Sequence, residues 1–317
     1  MRRKIYQELL QWKQRSGESA LLVQGARRVG KSYIVEAFAK AEYKSYILID
    51  FNLVDQPVKE MFEHDLVDLK TFFMKLTTYY GVKLYERESL IIFDEVQLFP
   101  RARSAIKYLV ADGRYDYIET GSLISIRENV KDILIPSEED HVDMYPLDFE
   151  EFLWANGNDT MMDFIRDCYR KKAPLGQALH RKAMDLFRQY LIVGGMPQAV
   201  NAFVKHNDFD EVDRVKRRIL NLYRDDIRKH AKGYEMKVEA IYDEIPSQMK
   251  NQNQHFKLSS LKQGARFDEY KDAMFWLSDR KSLLQCHRTD LWLESEPGQD
   301  AAEMLYGRYR SFDQPCL

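Results

Sequence analysis

Eight consecutive residues, Gly25, Ala26, Arg27, Arg28, Val29, Gly30, Lys31 and Ser32, have the types and spacing to grip a polyphosphate. They satisfy the pattern GxxxxGK[ST], whose backbone amides cradle phosphate oxygens. Gly25 and Gly30 permit dihedrals and close approaches that a β-carbon blocks, and the positive end of a following helix adds to the attraction. Lys31 is placed to reach the β- and γ-phosphates, and the Ser32 hydroxyl suits a magnesium ion. A second pair, Asp94 and Glu95, directly follows the apolar run of residues 90–93. Carboxylates at the carboxyl end of a parallel strand stand where such sheets bind ligands. Asp94 is expected to hold magnesium through water. Glu95 is expected to polarise an attacking water, which favours hydrolysis over transfer to an acceptor hydroxyl. Without a phosphate loop, the same pair reads as a helix cap or a solvated turn. A third run, IETGSL at residues 118–123, is a strand ending in small polar residues. Thr120 or Ser122 is expected between the acidic pair and the γ-phosphate; the alternative is an ordinary β-turn at Gly121. The expected cofactors are ATP and magnesium, with Lys31 and Glu95 catalytic and Ser32 and Asp94 on the metal. No NKxD-like guanine reader follows the acidic pair, so ATP is expected over GTP.

Positioning these residues requires an α/β architecture. Short β-rich apolar runs at residues 20–24, 46–51, 90–93 and 115–119 alternate with helical stretches at 32–40, 66–80 and 102–111. Near-continuous apolar strands alternating with helices predict a parallel sheet covered on both faces. Beyond Asp148 the pattern turns almost wholly helical, with amphipathic stretches at 184–191 and 210–229. The expected division is a nucleotide-binding core over residues 1–146, a helical lid over 147–232 and a winged-helix-like segment over 233–279.

Composition narrows the partners. A chain of 317 residues, 45% hydrophobic, has room for two or three domains with a sizeable core. With 31% charged residues and a net charge of −2 there is no global pull toward nucleic acid or membrane, so DNA contact requires a local patch. Cys168, Cys286 and Cys316 are far apart and show no CxxC spacing, which argues against zinc or disulfides and fits a reducing cytoplasm. Residues 1–15 begin with positive charge but are soon interrupted by polar residues, and no apolar run has the length of a leader or a membrane span. A cytoplasmic location without membrane partners is expected.

GARRVGKS, FDEVQ, ETGSL, YPLDFEEFLWA (residues 145–155) and YLIVGGMPQAV (residues 190–200) resemble, in that order, a family of bacterial and archaeal AAA+-like ATPases that carry a C-terminal domain of unknown function. The resemblance implies an ATPase core, a helical lid, a winged helix and a last domain similar to restriction endonucleases. It places nucleotide contacts on Gly25, Gly30, Lys31 and Ser32, the acidic pair on Asp94 and Glu95, and the sensor on residues 120–122. Gly195 and Pro197 match an element that sets the lid against adenine in related ATPases; equally, glycine then proline stops a helix without any ligand. Arg27 and Arg28 resemble paired arginines of the family loop and stand open between a phosphate or subunit contact and solvated surface. Family members carry a Gly-Arg pair before PLxFxEF where this chain reads SEEDHVDMYPLDFEEF. Arg127 or another protein would then supply an arginine finger. Residues 235–278 suit a winged helix: one amphipathic helix, then a helix–turn–helix with Lys257, Lys262, Arg266 and Lys271 on its surface. Asp268, Glu269 and Asp272 dilute that patch, which favours a domain that binds protein or packs on the ATPase core; weak, non-specific DNA binding, a protein client and self-assembly are the partner classes.

From about Arg280 the likeness stops, and residues 280–317 show neither helical nor strand periodicity. Suitable synonymous codons read one base later turn DAAEMLYGRYRSFDQP (residues 300–315) into TLLKCYMGDTGLLIS, which resembles the family's continuation after the winged helix, and the upstream stretch likewise into AKVFFNATEP. A frameshifted tail, with the endonuclease-like domain missing, is therefore expected. The gene decides it: the frame one base over from codon 280 carries these residues if the expectation holds, and meets an early stop if it fails.

Overall fold

Three strands are buried along their whole length, as central strands of a parallel sheet must be: β1 (Ala20–Gly25), β3 (Ser89–Asp94) and β4 (Asp116–Gly121). The edge strands β2 (Ser45–Asp50) and β5 (Glu139–Met144) alternate instead. All pair in parallel in the order β2-β3-β4-β1-β5. The strand ending in Asp94 is therefore not beside the strand that feeds the phosphate loop. β4, carrying Thr120, lies between them. These facts come from a computed structural model that describes residues 1–15, 17–121, 138–231, 233–249 and 256–279. Ser122, Arg127, Cys286, Cys316 and the whole segment 280–317 lie outside the described residues.

The chain divides into two compact units, Arg2–Tyr145 and the chain from Pro146 onward. In the first, Ile47, Ile49, Ile91, Phe93 and Tyr117 cover one sheet face and pack against Phe62, Phe72, Leu76, Ile106 and Leu109. Those partners come from α4 (Leu69–Tyr80), α5 (Pro100–Asp112) and a π-helical turn at Met61–Asp65, which follows α3 (Gln56–Glu60). The opposite face meets α2 (Lys31–Glu42): at its end Tyr43 donates its hydroxyl to Asp116 at 2.8 Å. α1 (Ile5–Gln14) buries Ile5, Leu9 and Trp12. The helix expected over 66–80 begins only at Leu69, because the Asp68 carboxylate accepts from the Lys70 and Thr71 amides at 3.1 and 3.4 Å and so caps it there. β5 escapes sequence reading because its run, EDHVDM, is polar. Its Glu139 side chain is nonetheless buried, held by the buried Arg103 guanidinium of α5 at 3.1 and 3.2 Å.

The second unit is helical in its described residues: α6 (Phe149–Ala155), α7 (Met161–Arg170), α8 (Gln177–Val193), α9 (Pro197–His206), α10 (Phe209–His230), α11 (Glu235–Met249) and α12 (Phe267–Asp279). The motif PLDFEEF is a helix start. The Asp148 carboxylate accepts from the Glu151 amide at 2.9 Å, and Glu151 accepts from the Asp148 amide at 3.3 Å, a reciprocal cap. Leu147, just upstream, donates its amide to the Gly195 carbonyl at 2.7 Å and accepts the Tyr190 hydroxyl at 3.0 Å. A β-carbon on Gly195 would run into the Leu147 carbonyl. Gly194, at φ 76° and ψ −176°, occupies backbone space that only glycine enters readily. The two sequence motifs are thus the two halves of one backbone contact. Gly195→Ala is expected to cost about 1–3 kcal/mol through overpacking. Thermal unfolding checks this, and an unchanged midpoint would refute the tight contact.

Among residues 233–279, no strand occurs in the described part. The expected first helix is α11. The first arm of the expected helix–turn–helix is only a 3₁₀ turn, Leu258–Ser260, ahead of α12. Ser260 donates its hydroxyl to the Lys257 carbonyl at 2.8 Å, a local bond of the kind that competes with helix propagation. Among the described residues no helix is long and apolar enough to cross a membrane.

Candidate functional site

The site grows from the end of β1. Gly25 sits beside Met144 in the parallel register, and a β-carbon there would collide with the Met144 carbonyl. The loop closes with Arg28 at φ 70° and Gly30 at φ 97°, both left-handed, and α2 starts at Lys31. The first glycine thus serves close approach and the second serves dihedral freedom. The opening amides of a helix have no intrahelical partner, so this turn offers donors to an anion. Ala26 and Val29 are buried, whereas Arg27 and Arg28 are exposed.

Lys31 is buried, and its Nζ donates to the Gly25 and Ala26 carbonyls at 3.1 and 3.0 Å. Burial pushes its ammonium below the ordinary lysine range; Glu95 and then Asp94 pull it back up, and Arg27 pushes it down. The Ser32 hydroxyl donates to Asp94 Oδ1 at 2.7 Å, and the Thr120 hydroxyl donates to the same oxygen. Thr120 Oγ1 in turn accepts the Glu95 amide at 3.3 Å. Three elements, α2, β3 and β4, therefore converge on one carboxylate oxygen. Glu95 adopts φ 53° and ψ 45°, a left-handed conformation costing a non-glycine residue on the order of 1 kcal/mol. The carboxylate of this strained residue accepts the Gln97 side-chain amide.

The residues present fit magnesium. Ser32 and Asp94 put two hard oxygens side by side, a number that suits an ion keeping waters and phosphate oxygens in its shell. No group of three or more His, Cys, Asp or Glu able to hold a metal occurs among the described residues. Sequence reasoning missed two residues here. Gln97 stands two positions past the acidic pair and could have been singled out. Arg3, whose guanidinium reaches the Val29 carbonyl at 3.0 Å, gave no signal in the sequence. Pro197 occupies the first turn of α9 in the second unit.

Two parts of the chain match known family models. Residues 17–153 match the model of the AAA domain. Residues 184–294 match a domain of unknown function, DUF8612. That second match takes in residues 280–294, which the sequence reading assigns to a shifted frame. The fold is that of P-loop ATPases, AAA+-like, with a five-stranded parallel sheet and a helical C-terminal part. Among solved structures the chain is similar to a Walker-type ATPase of Pyrococcus abyssi (TM-score 0.46, 14% identity, 87% of this chain and 90% of that one). It is also similar to AMPPCP-bound DnaA from Aquifex aeolicus (TM-score 0.37, 11% identity, 99% and 95%). A third is the Orc1 protein of Aeropyrum pernix in complex with DNA (TM-score 0.37, 11% identity, 88% and 84%). No curated protein sequence matches.

Proposed function

We propose that the chain binds and hydrolyses ATP with magnesium and couples that cycle to movement of its helical second unit. The observation that carries the reading is the convergence of Ser32 and Thr120 on Asp94 beside the buried ammonium of Lys31. In this reading the amides of residues 26–32 and Lys31 hold the phosphates, and Ser32 and Asp94 hold magnesium. Magnesium, when bound, neutralises charge that gathers on the phosphate oxygens. Lys31 exchanges its carbonyl acceptors for phosphate oxygens. Glu95 takes a proton from water as general base. Thr120 senses the γ-phosphate by trading its bond to Asp94, and Pro197, matched by the family resemblance, is a further nucleotide-recognition residue.

One contact favours a second reading, a slow nucleotide-dependent switch: Gln97 already occupies the Glu95 carboxylate. Steady-state phosphate release with and without duplex DNA separates the two. An enzyme turns over many ATP molecules per chain without DNA. A switch holds its nucleotide for long periods until a partner arrives.

Lys257, Lys262, Arg266 and Lys271 are exposed, but Asp268, Glu269 and Asp272 are exposed among them. DNA binding through these four cations would be weak, indifferent to sequence and salt-sensitive, with a log–log slope of about −3 to −4. A salt titration by fluorescence anisotropy checks this; binding that persists at high salt would contradict it.

A further inference from the structure

We propose that Arg3 is a positioning residue that ties the phosphate loop to the peptide through which the chain leaves its first unit, so that nucleotide bound at the loop is felt at Tyr145. The inference deepens the nucleotide-binding reading above and rests on it.

Arg3 is almost wholly buried, at 7% exposure, although it lies three residues from the N-terminus of the chain. One arm of its guanidinium donates to the Val29 carbonyl at 3.0 Å, and the other donates to the Tyr145 carbonyl at 2.5 Å. Val29 immediately precedes Gly30, the turning point of the loop, and Tyr145 is the last residue of the first unit. A single rigid fork therefore spans from the loop to the exit. Two further contacts reach the two residues just before Tyr145. The Gln24 side-chain amide donates to Asp143 at 2.8 Å, and Gly25 packs on Met144 with no space for a β-carbon. Both the start and the crest of the loop are fastened to residues 143–145.

The peptide bond explains how such a fastening transmits. The Val29 carbonyl and the Gly30 N–H belong to one planar trans peptide and point in opposite directions. Fixing the carbonyl on Arg3 fixes the direction of the Gly30 N–H, one of the amides such loops turn toward phosphate. When that N–H donates to an anion, the peptide polarises and its carbonyl becomes a stronger acceptor, which tightens the Arg3 bond. The same guanidinium holds Tyr145, so the exit peptide is ordered in step. Beyond it, Pro146 narrows the dihedrals open to Tyr145, so holding its carbonyl restricts the exit peptide further. Lysine cannot substitute, because one ammonium does not reproduce two donors held in a plane.

The test measures hydrogen exchange on the full chain with and without saturating ATP, in the wild type, Arg3→Ala and Arg3→Lys, beside direct ATP affinities. In the wild type, ATP slows exchange of residues 25–32 and also of residues 142–147. In both variants, affinity falls about tenfold, the cost of losing one charge-assisted bond. At saturating ATP the loop is still protected in both, but the response of residues 142–147 disappears. A residue with a merely structural role would lower the unfolding temperature and leave that response in place. The proposal is overturned if the exit segment of Arg3→Ala responds as the wild type does, or if Arg3→Lys restores the response. If ATP protects nothing in the wild-type loop, the nucleotide-binding reading fails first and the Arg3 coupling with it.

Discussion

Glu95→Gln lowers the rate of ATP hydrolysis by about 10²–10⁴-fold, the usual worth of a general base, and leaves ATP affinity nearly unchanged. Glutamine keeps the size of the side chain and its left-handed backbone, and it can still pair with Gln97, so the site keeps its shape. What it loses is the capacity to accept a proton from water. Lys31, Ser32 and the loop amides, which hold the nucleotide in this account, are untouched. Phosphate release and equilibrium ATP binding, measured on the same preparation, separate the two effects. Undiminished release by Glu95→Gln would remove that residue from the chemistry and leave its backbone strain without a functional account.

Lys31→Ala removes ATP binding, with a fall in affinity of about 100-fold or more, because a buried cation makes several charge-assisted bonds to phosphate at once. Measuring the unfolding temperature alongside sets the binding loss apart from a folding defect. Burial already works against the ammonium in the protein alone, and its bonds to the Gly25 and Ala26 carbonyls offset that, so the chain is expected to stay folded while ATP affinity is lost. The same displacement predicts a pH dependence. A lysine held below its ordinary range loses its proton at a lower pH than a free lysine does. ATP affinity in the wild type therefore fades as the pH rises through that lowered value, before a solvent-exposed lysine would titrate. Isothermal titration across alkaline pH checks this. An affinity flat up to the free-lysine range would show that Lys31 is not the cation that meets the phosphates.

The candidate site was legible where chemistry and local conformation ask for the same residues. Gly30 must be glycine for its dihedral, Lys31 and Ser32 for their donors, and all sit where an apolar strand meets a helix. The acidic pair was legible because β3 is buried on both faces and so reads as a continuous apolar run ending in two charges. β5 was not legible. It is an edge strand whose buried acid is satisfied by Arg103, a partner thirty-six residues away that no local pattern announces. Arg3 failed for the same reason, since its acceptors are backbone carbonyls at sequence separations of 26 and 142, and carbonyls carry no sequence signature. Gly195 and Pro197 show the converse. Their motif was visible, but the contact that explains Gly195 is a backbone approach to Leu147, which composition alone does not distinguish from a ligand contact. The same limit applies to Gly25, where the structure shows the close approach of Met144 and the sequence suggested phosphate.

The most direct test is a single-turnover experiment with the full chain in excess over radiolabelled ATP, run with magnesium and again with EDTA. The account predicts that bound ATP is converted to ADP and phosphate with magnesium, stays intact in EDTA, and stays bound but intact in Glu95→Gln. Bound ATP that remains uncleaved by the wild type in magnesium, or cleavage that proceeds equally in EDTA, would contradict it.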